Sequence, residues 1–122
     1  MVIKEIGLEE VWRVRQEVMW PDKPLDFIKL KDDEAGMHYG LFVDDDLKTV
    51  VSCFTANGQM QFRKLATLEA EQGKGYASFL LNFILRKAKE EGVSKVWCNA
   101  RLNKRSFYEK FGLEETGVRF FK

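Results

Sequence analysis

Gln72-Gly73-Lys74-Gly75-Tyr76-Ala77 lies between a strand-like run and a run whose apolar residues recur at helical spacing. Several backbone N–H groups should converge there at the positive end of a helix dipole, which makes a cradle for phosphate. Gly73 and Gly75 carry no Cβ, so a bulky diphosphate can approach the main chain, and an anion at a helix N-terminus gains roughly 0.3–2 kcal/mol. A glycine pair before a helix is also an ordinary turn device. Two phosphate loops are excluded. No glycine is followed after four residues by Gly-Lys-Ser/Thr, and the third glycine of a dinucleotide fingerprint is Ser78 here, with Ser94 and Lys95 where a ribose-binding carboxylate would stand.

The elements around this loop read in a clear order. Val2–Ile6 suits a short strand, and residues 8–19, with Leu8, Val11, Trp12, Arg15, Val18 and Met19 on one face, suit an amphipathic helix that Pro21 ends. Pro24 starts a second short helix, with the loop Asp32-Asp33-Glu34-Ala35-Gly36 beyond it. His38–Val43, Leu47–Ala56 and Gln59–Leu68 form an antiparallel meander turned at Asp44-Asp45-Asp46 and at Asn57-Gly58, a favoured tight-hairpin pair. Ala77, Leu80, Leu81, Ile84, Leu85 and Ala88 make the apolar face of a helix closed by Gly92. Val93–Cys98 is then a strand parallel to the one before that helix, Asn103–Phe111 a helix and Leu113–Phe121 a last strand. The expectation is one α/β (α+β) domain over residues 1–122, a mixed sheet with helices on both faces.

Gln72, Gly75 and Ala77 meet a Gln/Arg-x-x-Gly-x-Gly/Ala pattern that resembles the acetyl-CoA loop of the GNAT superfamily of N-acetyltransferases. Asn99 to Leu113, containing Phe107-Tyr108-Glu109-Lys110-Phe111-Gly112, resembles the superfamily's "FYEK-x-GF" helix at the expected distance from the loop. The resemblance covers Gln61 to about Phe120. It implies that two central parallel strands splay apart and that acetyl-CoA lies in the V between them. It further implies pantetheine pairing along Leu65-Ala66-Thr67, phosphates against Gln72, Gly73, Lys74, Gly75, Tyr76, Ala77 and Ser78, and Tyr108 as the proton donor to the coenzyme thiolate. Arg101 and Asn103 are candidates for the cofactor's pantetheine or phosphates, although the superfamily more often has Asn at the position of Arg101. Lys104 and Arg105 read either as phosphate contacts or as surface charge.

The implied reaction is direct acetyl transfer from acetyl-CoA to an amine in a ternary complex. The alternative is a non-catalytic acyl-CoA-binding or interaction module of the same fold. An alkyl amine holds its proton to about pH 10, so a base is wanted, and Glu17 and His38 are the candidates. The segment bordering the acceptor holds Trp12, Arg15, Trp20, Pro21 and Phe27; Trp12 and Phe27 are expected in the core and Trp20 in the pocket.

With 122 residues and 45% hydrophobic content the chain can build one core. It has no run of roughly 18 apolar residues and no signal-peptide centre near Met1. Cys53 and Cys98 lie in apolar strands, which suits a reducing cytoplasm, and with the single His38 they give no metal-ligand spacing. Net charge divides unevenly. Residues 1–58 carry 7 Lys/Arg and 12 Asp/Glu, 7 − 12 = −5, and residues 59–122 carry 13 and 7, 13 − 7 = +6. The basic half suits an anionic cofactor, and the acidic half is compatible with a cationic amine, a small molecule or amino acid, though Asp32–Glu34 and Asp44–Asp46 read first as solvated loops. Basic residues form no dense stretch interleaved with aromatics, so nucleic acid is a poor partner. The sequence stops at Lys122, where the superfamily normally has a further strand. A missing C-terminal strand would leave an apolar edge containing Val118, Phe120 and Phe121, and a homodimer through that strand or an adjacent face is the expected cover.

Overall fold

The computed structural model describes residues 1–99, 104–116 and 119–121. Its strands are β1 (Val2–Glu5), β2 (Met37–Val43), β3 (Asp46–Ala56), β4 (Gln59–Thr67), β5 (Lys95–Asn99), β6 (Glu114–Thr116) and β7 (Arg119–Phe121). The helices are α1 (Leu8–Met19), α2 (Leu25–Ile28), α3 (Tyr76–Glu90) and α4 (Arg105–Glu109). Among the described residues these strands form one mixed sheet in the order β1-β2-β3-β4-β5-β7-β6. The β1–β4 meander is antiparallel, and β4 and β5 are parallel, as the intervening α3 requires.

Turn chemistry sets the meander. Asn57 and Gly58 take φ 55° and 75°, and Asp44 and Asp45 take 52° and 69°, the left-handed pairs that match the twist of a two-residue hairpin. The central strand β3 is buried on both faces. Val50 packs with Val11, Val14 and Ala66 on the α1 side, while Val51 and Cys53 pack with Leu80, Leu81 and Ile84 on the α3 side. At the end of α3, Gly92 sits at φ 76°, its N–H donates to Lys89 and that of Val93 to Ala88, the paired bonds of a glycine-closed helix.

The C-terminal segment departs from expectation. Leu113–Phe121 is two strands rather than one, and β7 pairs with β5 on one side and β6 on the other. The expected missing strand is therefore supplied by the chain itself. Phe120 and Phe121 lie on an interior strand, so among the described residues that part of the expected open edge is covered; Val118 is outside the described residues.

Candidate active site

Two irregularities in β4 open the site. Between Val50↔Ala66 and Ser52↔Arg63, β3 advances by Val51 alone while β4 advances by Lys64 and Leu65, so the strand bulges there, with Lys64 at φ 57°. Pairing with β5 stops at Gln61↔Trp97. Beyond it no further pair joins the two parallel strands among the described residues, and a gap opens between them.

Beside this gap lies a cleft of about 550 Å³, lined by Leu65, Ala66, Thr67, Glu71, Gln72, Gly73, Gly75, Tyr76, Ala77, Ser78 and, across from them, Lys104, Phe107, Tyr108 and Lys110. Gly73 and Gly75 take φ 83° and 84°, and a Cβ built on either meets no heavy atom within 4 Å. Their need for glycine is therefore the left-handed backbone and the open approach, not internal packing. The first intrahelical bond of α3 runs from Phe79 N–H to the Gly75 carbonyl, so the N–H groups of Tyr76, Ala77 and Ser78 precede the ladder, and no side chain caps them. No acidic residue occupies the first turn. Gln72 Nε2 donates to the Thr67 carbonyl at 3.1 Å, tying the loop to the end of β4. Lys74 is off the lining and pairs with Glu71 at 2.8 Å; Glu71 also holds Lys48 at 3.0 Å.

A second cleft of about 500 Å³ lies on the other side, lined by Trp20 at the end of α1, Gln61, Arg63 and Lys64 of β4, and Asn99 of β5. Val18, Met19, Leu65, Lys104 and Tyr108 line both clefts. Tyr108 thus stands at their junction, its ring 5.9 Å from Phe62 and 5.2 Å from Phe107. Burial, with Cys98 nearby, pushes its hydroxyl above the usual value of 10.0, so it keeps its proton at neutral pH. Burial also pushes the thiols of Cys53 and Cys98 up to about 12, which removes both as nucleophiles. Among the described residues no group of His, Cys, Asp and Glu could hold a metal ion, and no helix is long and apolar enough to cross a membrane.

Several expected residues lie elsewhere. Arg15 is fully buried, bonded to Asp33 through two nitrogens at 2.8 and 3.0 Å and to Ser52 Oγ at 2.6 Å; Trp12 Nε1 and Leu30 N–H also donate to Asp33 Oδ2 at 2.8 Å. Burial alone would raise the Asp33 carboxyl, but these donors, Arg15 first, hold it below its usual range. His38 completes the cluster. Its Nε2 lies 2.8 Å from the Asp33 carbonyl, which can only accept, so Nε2 carries the proton and Nδ1 accepts from Ser52 at 2.7 Å. Both ring nitrogens are thus engaged, and His38 lines neither cleft, nor does exposed Glu17. Trp20 lines the second cleft, whereas Phe27, expected in the core, is 53% exposed and packs edge-on to Trp20 at 5.4 Å. Arg101 and Asn103 are outside the described residues. Sequence reasoning missed Arg63 and Lys64, for which no motif speaks, and Val18 and Met19, which the helical period placed on the apolar face of α1.

The model of the GNAT acetyltransferase family matches residues 6–113. The chain belongs to the GNAT acetyltransferase family. This acetyltransferase is 31% identical over 127 aligned positions to the uncharacterized N-acetyltransferase YitI of Bacillus subtilis, covering 97% of this chain and 85% of the relative. The ribosomal-protein-S18-alanine N-acetyltransferase of Escherichia coli superposes with a TM-score of 0.83 at 12% identity, over 98% of this chain and 90% of that one. A GNAT acetyltransferase of Brucella melitensis, solved with acetyl-CoA, superposes with a TM-score of 0.80 at 13% identity, over 99% and 86%. At these identities the two structures speak for the fold alone.

Proposed function

We propose that this acetyltransferase binds acetyl-CoA in the first cleft, with the diphosphate against Gln72–Ser78 and the pantetheine along Leu65–Thr67, and transfers acetyl to a small-molecule amine or amino acid in the second. The observation that carries this reading is Tyr108 at the junction of two clefts, one ending on an uncapped helix N-terminus. Beyond its last pair with β5, the backbone of β4 offers the pantetheine amides the partners a neighbouring strand would offer. The amine nitrogen attacks the thioester carbonyl, the tetrahedral adduct collapses with loss of thiolate, and the Tyr108 hydroxyl protonates the departing sulfur. Solvent returns a proton to the phenolate.

No Asp, Glu or His is among the described residues lining the second cleft. The amine proton therefore leaves through water, aided by Arg63, Lys64 and Lys104, since nearby positive charge disfavours the ammonium form. Two buried free thiols suit the reducing cytoplasm as its compartment. Calorimetry with acetyl-CoA and CoA, followed by CoA release over an amine panel, tests the reading. Micromolar binding with amine-dependent release is expected; binding without release from any amine would leave a non-catalytic acyl-CoA-binding module.

A further inference from the structure

Among the described residues, one cation of the second cleft, Lys104, also lines the first. Arg63 and Lys64 line the second cleft and not the first, and the phosphate loop is fastened to the opposite end of β4, four residues on at Thr67, roughly 10–13 Å along the strand. No ion pair joins Arg63 or Lys104 to a carboxylate among the described residues. Arg63 lies over the Phe54 ring at 5.8 Å and Lys64 over the Trp20 ring at 4.9 Å. A guanidinium presents a planar fork of N–H groups that matches a planar or tetrahedral anion. Lys64 reaches the wall because the bulge gives it a left-handed backbone, a conformation a lysine seldom adopts and one that concentrates at binding sites.

No acidic residue of the first half lines either cleft. Asp33 is consumed by Arg15, and Asp44, Asp45 and Asp46 sit at the β2–β3 turn, off both clefts. The expectation that the acidic half draws in a cationic amine therefore finds no geometric support.

Building on the acetyl-transfer reading, we infer that the acceptor is a small amine carrying its own anionic group, a carboxylate or a phosphate, held by Arg63 and Lys64. Such a molecule enters a basic cavity at no net electrostatic penalty, and its docked anion presents the amine to a site whose remaining positive charge favours the neutral nucleophile.

The test uses matched acceptors: α-amino acids against their carboxamides, and phosphorylated amino alcohols against the parent alcohols. CoA release is measured at saturating acetyl-CoA, with a parallel titration of each acceptor into CoA-loaded protein. An anionic member should exceed its neutral twin by about tenfold or more in kcat/KM or affinity. The arm that responds identifies carboxylate or phosphate. That ratio should collapse toward unity in Arg63→Gln and in Lys64→Asn, the latter chosen because Asn tolerates the left-handed backbone, while CoA affinity is kept in both. Neutral twins performing as well as the anionic ones, or a ratio that survives both variants, would overturn the inference and leave acetyl transfer standing. Failure to bind CoA at all would instead overturn the acetyl-transfer reading, and the inference with it.

Discussion

Replacing Gly75 by Asp, with Gly75→Ala as its reference, isolates the electrostatics of the proposed phosphate cradle. Gly75 holds φ 84°, so either side chain pays up to about 1–2 kcal/mol for a left-handed backbone. In the unliganded protein neither Cβ meets an atom within 4 Å, so that strain is the expected cost to folding and the Ala variant should remain folded. What Ala loses in CoA affinity reports the approach of the diphosphate to the main chain. What Asp loses beyond Ala reports charge. At about 5 Å, one carboxylate against one phosphate charge costs about 0.8 kcal/mol in water and about 3 kcal/mol at the effective dielectric near a protein surface. Calorimetry should therefore show Asp binding CoA about 4-fold to 200-fold more weakly than Ala. Raising salt from 0.05 to about 1 M shortens the screening length to roughly 3 Å and should shrink that gap. An Asp variant that binds like Ala, or a gap indifferent to salt, would place the phosphates elsewhere.

Tyr108→Phe should keep CoA affinity and lower kcat by about 10²–10⁴, with single-turnover kinetics reporting the chemical step; an unchanged chemical rate removes Tyr108 as the acid. Because burial holds its hydroxyl above 10.0, kcat should show no descending limb from Tyr108 below about pH 10. Asp33→Ala strands the buried Arg15 charge and should cost about 3–5 kcal/mol, seen as a fall in denaturant midpoint. The Asp33 carboxyl is depressed below 3.8 in the fold, so its stabilisation is complete above that value and is lost as pH falls through the folded one; acid titration of thermal stability should show this loss in the wild type and not in Asp33→Ala.

Local rules carried much of the fold. Asn57-Gly58 specifies its own hairpin, the apolar face of α3 has a single period, and Gly73 and Gly75 mark a backbone few other residues adopt, so loop, helix and the Tyr108 segment were legible together. The bulge was not, because Lys64 has no preference for positive φ and is held there by tertiary pairing on both sides of it. Leu113–Phe121 was read as one strand because its apolar residues run on, although Gly117 was the interruption to notice. Charge misled most. Summing Asp and Glu over a half-chain says nothing about which share a wall, and the most buried acid among the described residues, Asp33, belongs to an arginine 18 residues away.

The parting of β4 from β5 after Gln61 and Trp97 leaves a gap in the middle of the sheet that a molecule the chain does not encode would finish. If that molecule is the coenzyme, the protein's lifetime becomes coupled to metabolism: at a hundred times its Kd, bound CoA adds about 2.7 kcal/mol to the folded state. The β5-facing backbone amides between Phe62 and Thr67 should then exchange their hydrogens fastest when the coenzyme is scarce, which makes turnover by proteases a readout of coenzyme supply.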